Sequence, residues 1–125
     1  MNDNSIIDKK FQKELNAGIS ALVLLRVLAG AEQPMYGYQI AKIIASEQNE
    51  VLGFKQGVLY PVLRSLEETG LLESNVEPSV SGPPRRYYQI TSVGKETLQR
   101  WVSIWNQSNA FVNTILEGNY HVEYR

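Results

Sequence analysis

Apolar residues recur at Ile7, Phe11 and Leu15, every fourth position, while Lys9, Lys10, Lys13 and Glu14 fill the other faces. That spacing predicts an amphipathic helix over residues 5–15, an arm whose single stripe packs on something else. Gly18 is expected to interrupt it or to let it pass closely against a neighbour. Residues 17–28 are apolar nearly all round, the mark of a buried helix, and Gly30 with Pro34 supplies its stop. Ile40, Ala41, Ile43 and Ile44 repeat the helical pattern over residues 38–45, after a turn at Met35-Tyr36-Gly37. Residues 46–53 are polar and read as a loop or a frayed helix end.

A further helix is predicted over residues 56–69, with Val58, Leu59, Val62, Leu63 and Leu66 on its apolar face and Gly70 as its C-terminal cap. Pro61 removes a backbone donor there and is expected to kink or loosen the first turns unless it sits near the helix N-terminus. Residues 71–76 and 86–91 form two short strands joined by a long tip rich in Pro, Ser and Gly, a hairpin. Thr91 or Ser92 then caps a final helix that runs to about Leu116, carrying Leu98, Trp101, Val102, Trp105, Val112, Ile115 and Leu116 at helical spacing. Tyr88 is expected in the core and Tyr87 exposed, since neighbours along a strand face opposite ways.

Compact helices, a hairpin and a long last helix describe a mainly α fold with a small β-hairpin, best answered by a winged helix-turn-helix. The domain reading is an N-terminal helical arm over 1–16, the winged helix over 17–91, and a dimerisation helix with a tail over 92–125. One domain is what 125 residues allow, and 43% hydrophobic residues is enough for a core. Without cysteine there is no disulfide framework, the N-terminus lacks the pattern of a signal peptide, and no apolar run spans a bilayer. A cytoplasmic protein that does not enter membranes is the expectation. The net charge of −1 gives nucleic-acid binding no support by itself. Any DNA-binding charge must therefore be gathered on one face.

Three stretches carry more specific information. Tyr36-Gly37-Tyr38-Gln39-Ile40 opens the second core helix. Gly57-Val58-Leu59-Tyr60-Pro61-Val62-Leu63-Arg64-Ser65-Leu66-Glu67-Glu68-Thr69-Gly70-Leu71-Leu72 covers the third and its exit into the hairpin. Gly82-Pro83-Pro84-Arg85-Arg86-Tyr87-Tyr88-Gln89-Ile90-Thr91-Ser92-Val93-Gly94 closes the hairpin and starts the last helix. Together, over roughly residues 17–105, they resemble the PadR-like family of winged-helix transcriptional regulators, and within it the small subclass with a short C-terminal helix. The resemblance implies a homodimer joined through the terminal helices, with the third core helix in the major groove of double-stranded DNA. It implies Gln56, Tyr60 and Arg64 as groups facing DNA, Arg85 and Arg86 on phosphates, and Lys42 and Lys55 as further phosphate partners. The family usually places Ser or Thr before the recognition helix and after its glycine, where this chain has Lys55 and Val58. Lys55 removes a helix cap worth about 1 kcal/mol and adds a charge, and Val58 removes a hydroxyl from the backbone contact.

Plainer roles stand beside these. Tyr60 and Tyr87 can be packing residues, although Leu59 and Leu63 already supply the buried face beside Tyr60, and Tyr87 is also a candidate DNA contact. Arg85 and Arg86 taken alone are a solvated basic pair. Trp101 and Trp105 share a helix face and form either a dimer core or an aromatic pocket between subunits. The resemblance extends to regulators in which terminal-helix tryptophans stack on planar ligands, with Trp105 the better placed.

Catalysis has little to work with. There is no cysteine, the sole histidine, His121, lies four residues from the end, and the aspartates are Asp3 and Asp8. No metal spacing, phosphate loop or cofactor motif is present. The expected function is a dimeric regulator, a repressor released by a small planar, aromatic or cationic ligand, acting on a pseudo-palindromic operator. A repressor without a ligand, and a winged helix that docks another protein, are the competing readings.

Overall fold

Leu24, Leu25 and Ile40 are wholly buried, and with Leu59, Leu63 and Leu72 they make the centre of the molecule. The structure, a computed structural model, describes residues 3–47 and 56–124. The elements that meet at this centre follow in the order α1 (Asp3–Ala29), β1 (Met35–Tyr36), α2 (Gly37–Glu47), α3 (Gln56–Glu68), β2 (Leu72–Glu77), β3 (Arg85–Ile90) and α4 (Ser92–Leu116). This is the winged helix-turn-helix arrangement expected from the sequence, mostly helical with a small antiparallel sheet.

The arm and the first core helix are not separate: α1 is one helix of 27 residues. Gly18 does not interrupt it, and within this chain a Cβ there would meet no atom outside its own helix within 4 Å. A mid-helix glycine costs only about 1 kcal/mol relative to alanine. Hydrogen bonds bridge the junction, from Gln12 to the Asn16 side chain at 2.9 Å and from buried Ser20 to the Asn16 carbonyl at 2.8 Å.

The sheet has the order β1-β3-β2. β1, expected as a turn, pairs through Met35 with Tyr88 and through Tyr36 with Tyr87. Two residues are too few to show a strand period, so only the paired partner reveals this strand. The β2–β3 hairpin pairs Leu72 with Ile90, Ser74 with Tyr88 and Val76 with Arg86.

α3 ends as its sequence predicts. Gly70 adopts φ of 82°, its N–H donates to the Glu67 carbonyl at 3.0 Å, and the Leu71 N–H donates to Leu66 at 2.9 Å. This paired closure satisfies the last carbonyls while burying Leu71 near Leu66, and turns the chain directly into β2. Thr91 caps α4, its hydroxyl accepting the Gly94 N–H at 3.0 Å. The same hydroxyl donates to the Gly70 carbonyl at 2.7 Å, tying the start of α4 to the end of α3.

Two helix stretches project from this body with their apolar side chains exposed. In α1 they are Ile6, Ile7, Phe11 and Leu15, and in α4 Val102, Ile104, Trp105, Phe111, Val112 and Ile115. Among the described residues no helix is long and apolar enough to cross a membrane.

Candidate nucleic-acid interface

The inner face of α3 is anchored by Leu59, Leu63 and Leu66, all buried. That anchorage carries the helix through Pro61, which sits inside α3 on its exposed side. Core packing on both sides outweighs the roughly 3 kcal/mol that an interior proline costs. The opposite consequence is useful: with one face pinned, residues 60, 64 and 67 are carried on another face as a single row.

Tyr60 opens that row and is 44% exposed. Its hydroxyl and ring lie over Gly37 at the start of α2, where a Cβ would collide with them. Tyr60 is therefore a packing residue and a surface residue at once. Gln39 closes the same corner, its Oε1 accepting the Tyr36 N–H at 3.1 Å.

Across from the row lies β3. Arg86 Nη1 donates to Ser74 Oγ at 3.0 Å, and Ser74 Oγ donates to Glu67 Oε2 at 2.7 Å. Tyr60, Arg64, Glu67, Arg86 and Tyr88 line a cleft of about 340 Å³ between α3 and the hairpin. Tyr88 is 6% exposed, as expected of a core residue. Burial pushes its phenol above the ordinary value of 10.0, while the nearby Arg86 and Arg64 pull the other way.

Arg85 and Tyr87 point to the other side of the hairpin, as strand alternation requires. The Arg85 guanidinium lies 4.5 Å over the Tyr36 ring. Tyr87 meets Tyr36 edge-on at 5.4 Å and is half-buried rather than exposed, because pairing with β1 sets the Tyr36 ring beside it. Tyr36 in turn stacks on Tyr38 at 6.4 Å. The adjacent arginines thus serve different surroundings. Lys42 is exposed on α2, and Gln56 is the first residue of α3; Lys55 lies outside the described residues.

Ser74 and Glu67 were not singled out by sequence, although each carried a signal. Glu67 lies three positions from Arg64, on the same helical row, and Ser74, two residues after buried Leu72, shares its face of the hairpin. What sequence alone does not give is the register that sets Ser74 opposite Tyr88.

A second feature lies at the far end. Trp101 and Trp105 line an open apolar groove of about 390 Å³ between α1 and α4, with Leu15, Ile19, Leu22 and Ile104. Trp101 is half-buried against the core, and Trp105 is 42% exposed. Among the described residues no group of His, Asp or Glu side chains is arranged to hold a metal ion.

The family model described as the transcriptional regulator PadR-like family matches residues 24–100. An uncharacterized protein of Lysinibacillus sphaericus is 31% identical over 96 residues, covering 77% of this chain and 86% of its own length. A PadR family transcriptional regulator from Eggerthella lenta is similar in structure, with a TM-score of 0.71 and 30% identity over 91% of this chain and 96% of that one. A PadR-like transcription factor from Bacteroides fragilis gives a TM-score of 0.67 at 27% identity, covering 85% of this chain and 98% of that one.

Proposed function

This chain belongs to the PadR-like family of transcriptional regulators, DNA-binding proteins rather than enzymes, and we propose that it acts as a homodimeric, sequence-specific repressor. The observation that carries this reading is the convergence of Tyr60, Arg64 and Arg86 on one cleft beside α3. In a chain of net charge −1, the placing of Arg64 and Arg86 on one cleft with Tyr60 supports a local gathering of positive charge, although Glu67 shares the cleft.

In this reading α3 enters the major groove. Arg64 reads a guanine edge or holds a phosphate, Gln56 meets a base near the helix start, and Tyr60 donates to the backbone. Arg86 reaches a phosphate from the hairpin, and Lys42 and Lys55 add further phosphate contacts. Arg85 and Tyr87 brace the hairpin against Tyr36 instead of touching DNA, a role supported by the ring contacts on that face.

The exposed apolar stripes of α1 and α4 support pairing with a second copy, since patches of that kind are rarely left to water. A twofold dimer calls for a pseudo-palindromic operator with half-sites about 34 Å apart. The open groove beside Trp101 and Trp105 supports a flat aromatic or cationic ligand held between subunits. Such a ligand releases DNA only if it binds the DNA-incompetent spacing of the two winged helices more tightly. Occupancy of an operator in the cytoplasm then blocks polymerase, and the ligand relieves the block.

The test is fluorescence anisotropy with a duplex enriched from a random pool by the wild-type protein. Saturable binding that withstands excess unrelated DNA supports the reading, and equal affinity for both refutes sequence specificity. Quenching of Trp101 and Trp105 emission by planar cationic dyes, with loss of bound duplex, tests the ligand.

A further inference from the structure

The hydroxyl of Ser74 stands between a group that only donates and a group that only accepts. A guanidinium has no acceptor and an ionised carboxylate no donor, so the directions are forced. Ser74 Oγ accepts from Arg86 and passes its own hydrogen to Glu67, at 3.0 and 2.7 Å. The chain joins three elements, β3 through Arg86, β2 through Ser74 and α3 through Glu67.

We propose that Ser74 is a positioning residue for DNA recognition, holding the Arg86 guanidinium at a fixed height over the row of Tyr60 and Arg64. The proposal rests on the reading of Arg86 as a DNA contact. Arg86 is exposed, and a free arginine side chain gives up much rotamer freedom when it settles on a phosphate. Fixing one of its donors beforehand removes part of that cost and leaves the rest of the guanidinium, on an exposed residue, available to a phosphate. Interposing a hydroxyl also matters electrostatically. A direct pair with Glu67 would spend the charge of Arg86 within the protein, whereas the relay keeps the carboxylate one residue away. Because Glu67 is half-buried on α3, the same relay sets the hairpin at one angle to the recognition helix. Phosphate contact from β3 and base contact from α3 are then offered at a constant span.

The experiment uses the whole chain and a labelled duplex enriched from a random pool by the wild-type protein, with Kd measured for S74A, S74T, R86A and S74A/R86A. R86A is expected to weaken binding by about 10-fold. S74A should cost roughly 3- to 10-fold, the scale of one hydrogen bond, and S74T, which keeps the hydroxyl on a strand-compatible side chain, should bind like wild type. In the R86A background S74A should add less than about 2-fold, because Ser74 then has nothing to position. Equal S74A losses in both backgrounds, or no loss in either, would overturn the positioning role. R86A binding like wild type would overturn the assignment of Arg86 and the proposal with it. A wild-type protein that enriches no duplex would sink the DNA reading itself, a separate failure.

Discussion

Gly37 lies directly beneath Tyr60, so close that a Cβ on the glycine would collide with the tyrosine hydroxyl and ring. The first residue of α2 and the outer face of α3 are thereby fitted to each other, and α3 cannot rotate without lifting Tyr60 off α2.

Substituting Gly37→Ala should therefore destabilise the fold by about 1–3 kcal/mol, the usual cost of overpacking. Urea unfolding checks this, and Tyr60→Ala in the same chain should recover much of the loss by removing the colliding ring. Additive losses in the double variant would show that the glycine matters for another reason.

Arg64→Ala should weaken binding to an enriched duplex by about 1–3 kcal/mol. If Arg64 reads a base, the loss is confined to the selected sequence. If it holds a phosphate, binding weakens on all duplexes and the slope of log affinity against log salt falls by about one. Anisotropy on selected and unrelated DNA at several salt concentrations separates the outcomes.

The neighbouring arginines should behave differently. Arg85→Ala removes a cation–π contact worth about 0.5–1 kcal/mol at an exposed site, visible as a lower urea midpoint. Its salt slope should match wild type, whereas Arg86→Ala should lower the slope with little change in stability. A lower slope for Arg85→Ala would return Arg85 to the DNA face.

Tyr88 gives a pH signature. Burial raises its phenol pKa in the folded state above the ordinary 10.0, so the unfolded chain loses this proton first as pH rises. The contribution of Tyr88 is thus fully present below about pH 10 and is lost as pH climbs from there through the folded-state value. Tyr88→Phe should flatten the alkaline part of a plot of urea-unfolding stability against pH, and an unchanged profile would contradict the burial argument.

Much of this fold was legible because its signals are local. Gly70 and Thr91 mark helix ends by chemistry that needs no partner, and the core face of α3 repeats within the helix itself. The features that differ from the sequence expectation depend on distant packing. Gly18 suggested a break that the hydrogen bonds around Asn16 and the anchored half of α1 override. β1 exists only because β3 pairs with it, and the same pairing covers Tyr87. Of the candidate contacts, Tyr60, Arg64 and Arg86 come together, while Arg85 goes to Tyr36. Strand alternation puts Arg86 on the face of core Tyr88 and Arg85 with Tyr87 on the other, but the contact of Arg85 with Tyr36 depends on the pairing of β1 with β3.

The most direct test of the central claim, that the cleft between α3 and the hairpin is the DNA-reading surface, is the salt dependence of affinity for an enriched duplex. It is measured side by side for wild type and Arg64→Ala/Arg86→Ala. Wild type should show steep salt dependence, and the double variant a slope shallower by about one for each arginine that held a phosphate, with loss of preference over unrelated DNA if Arg64 reads a base. A double variant that keeps the wild-type affinity, slope and preference would contradict that claim.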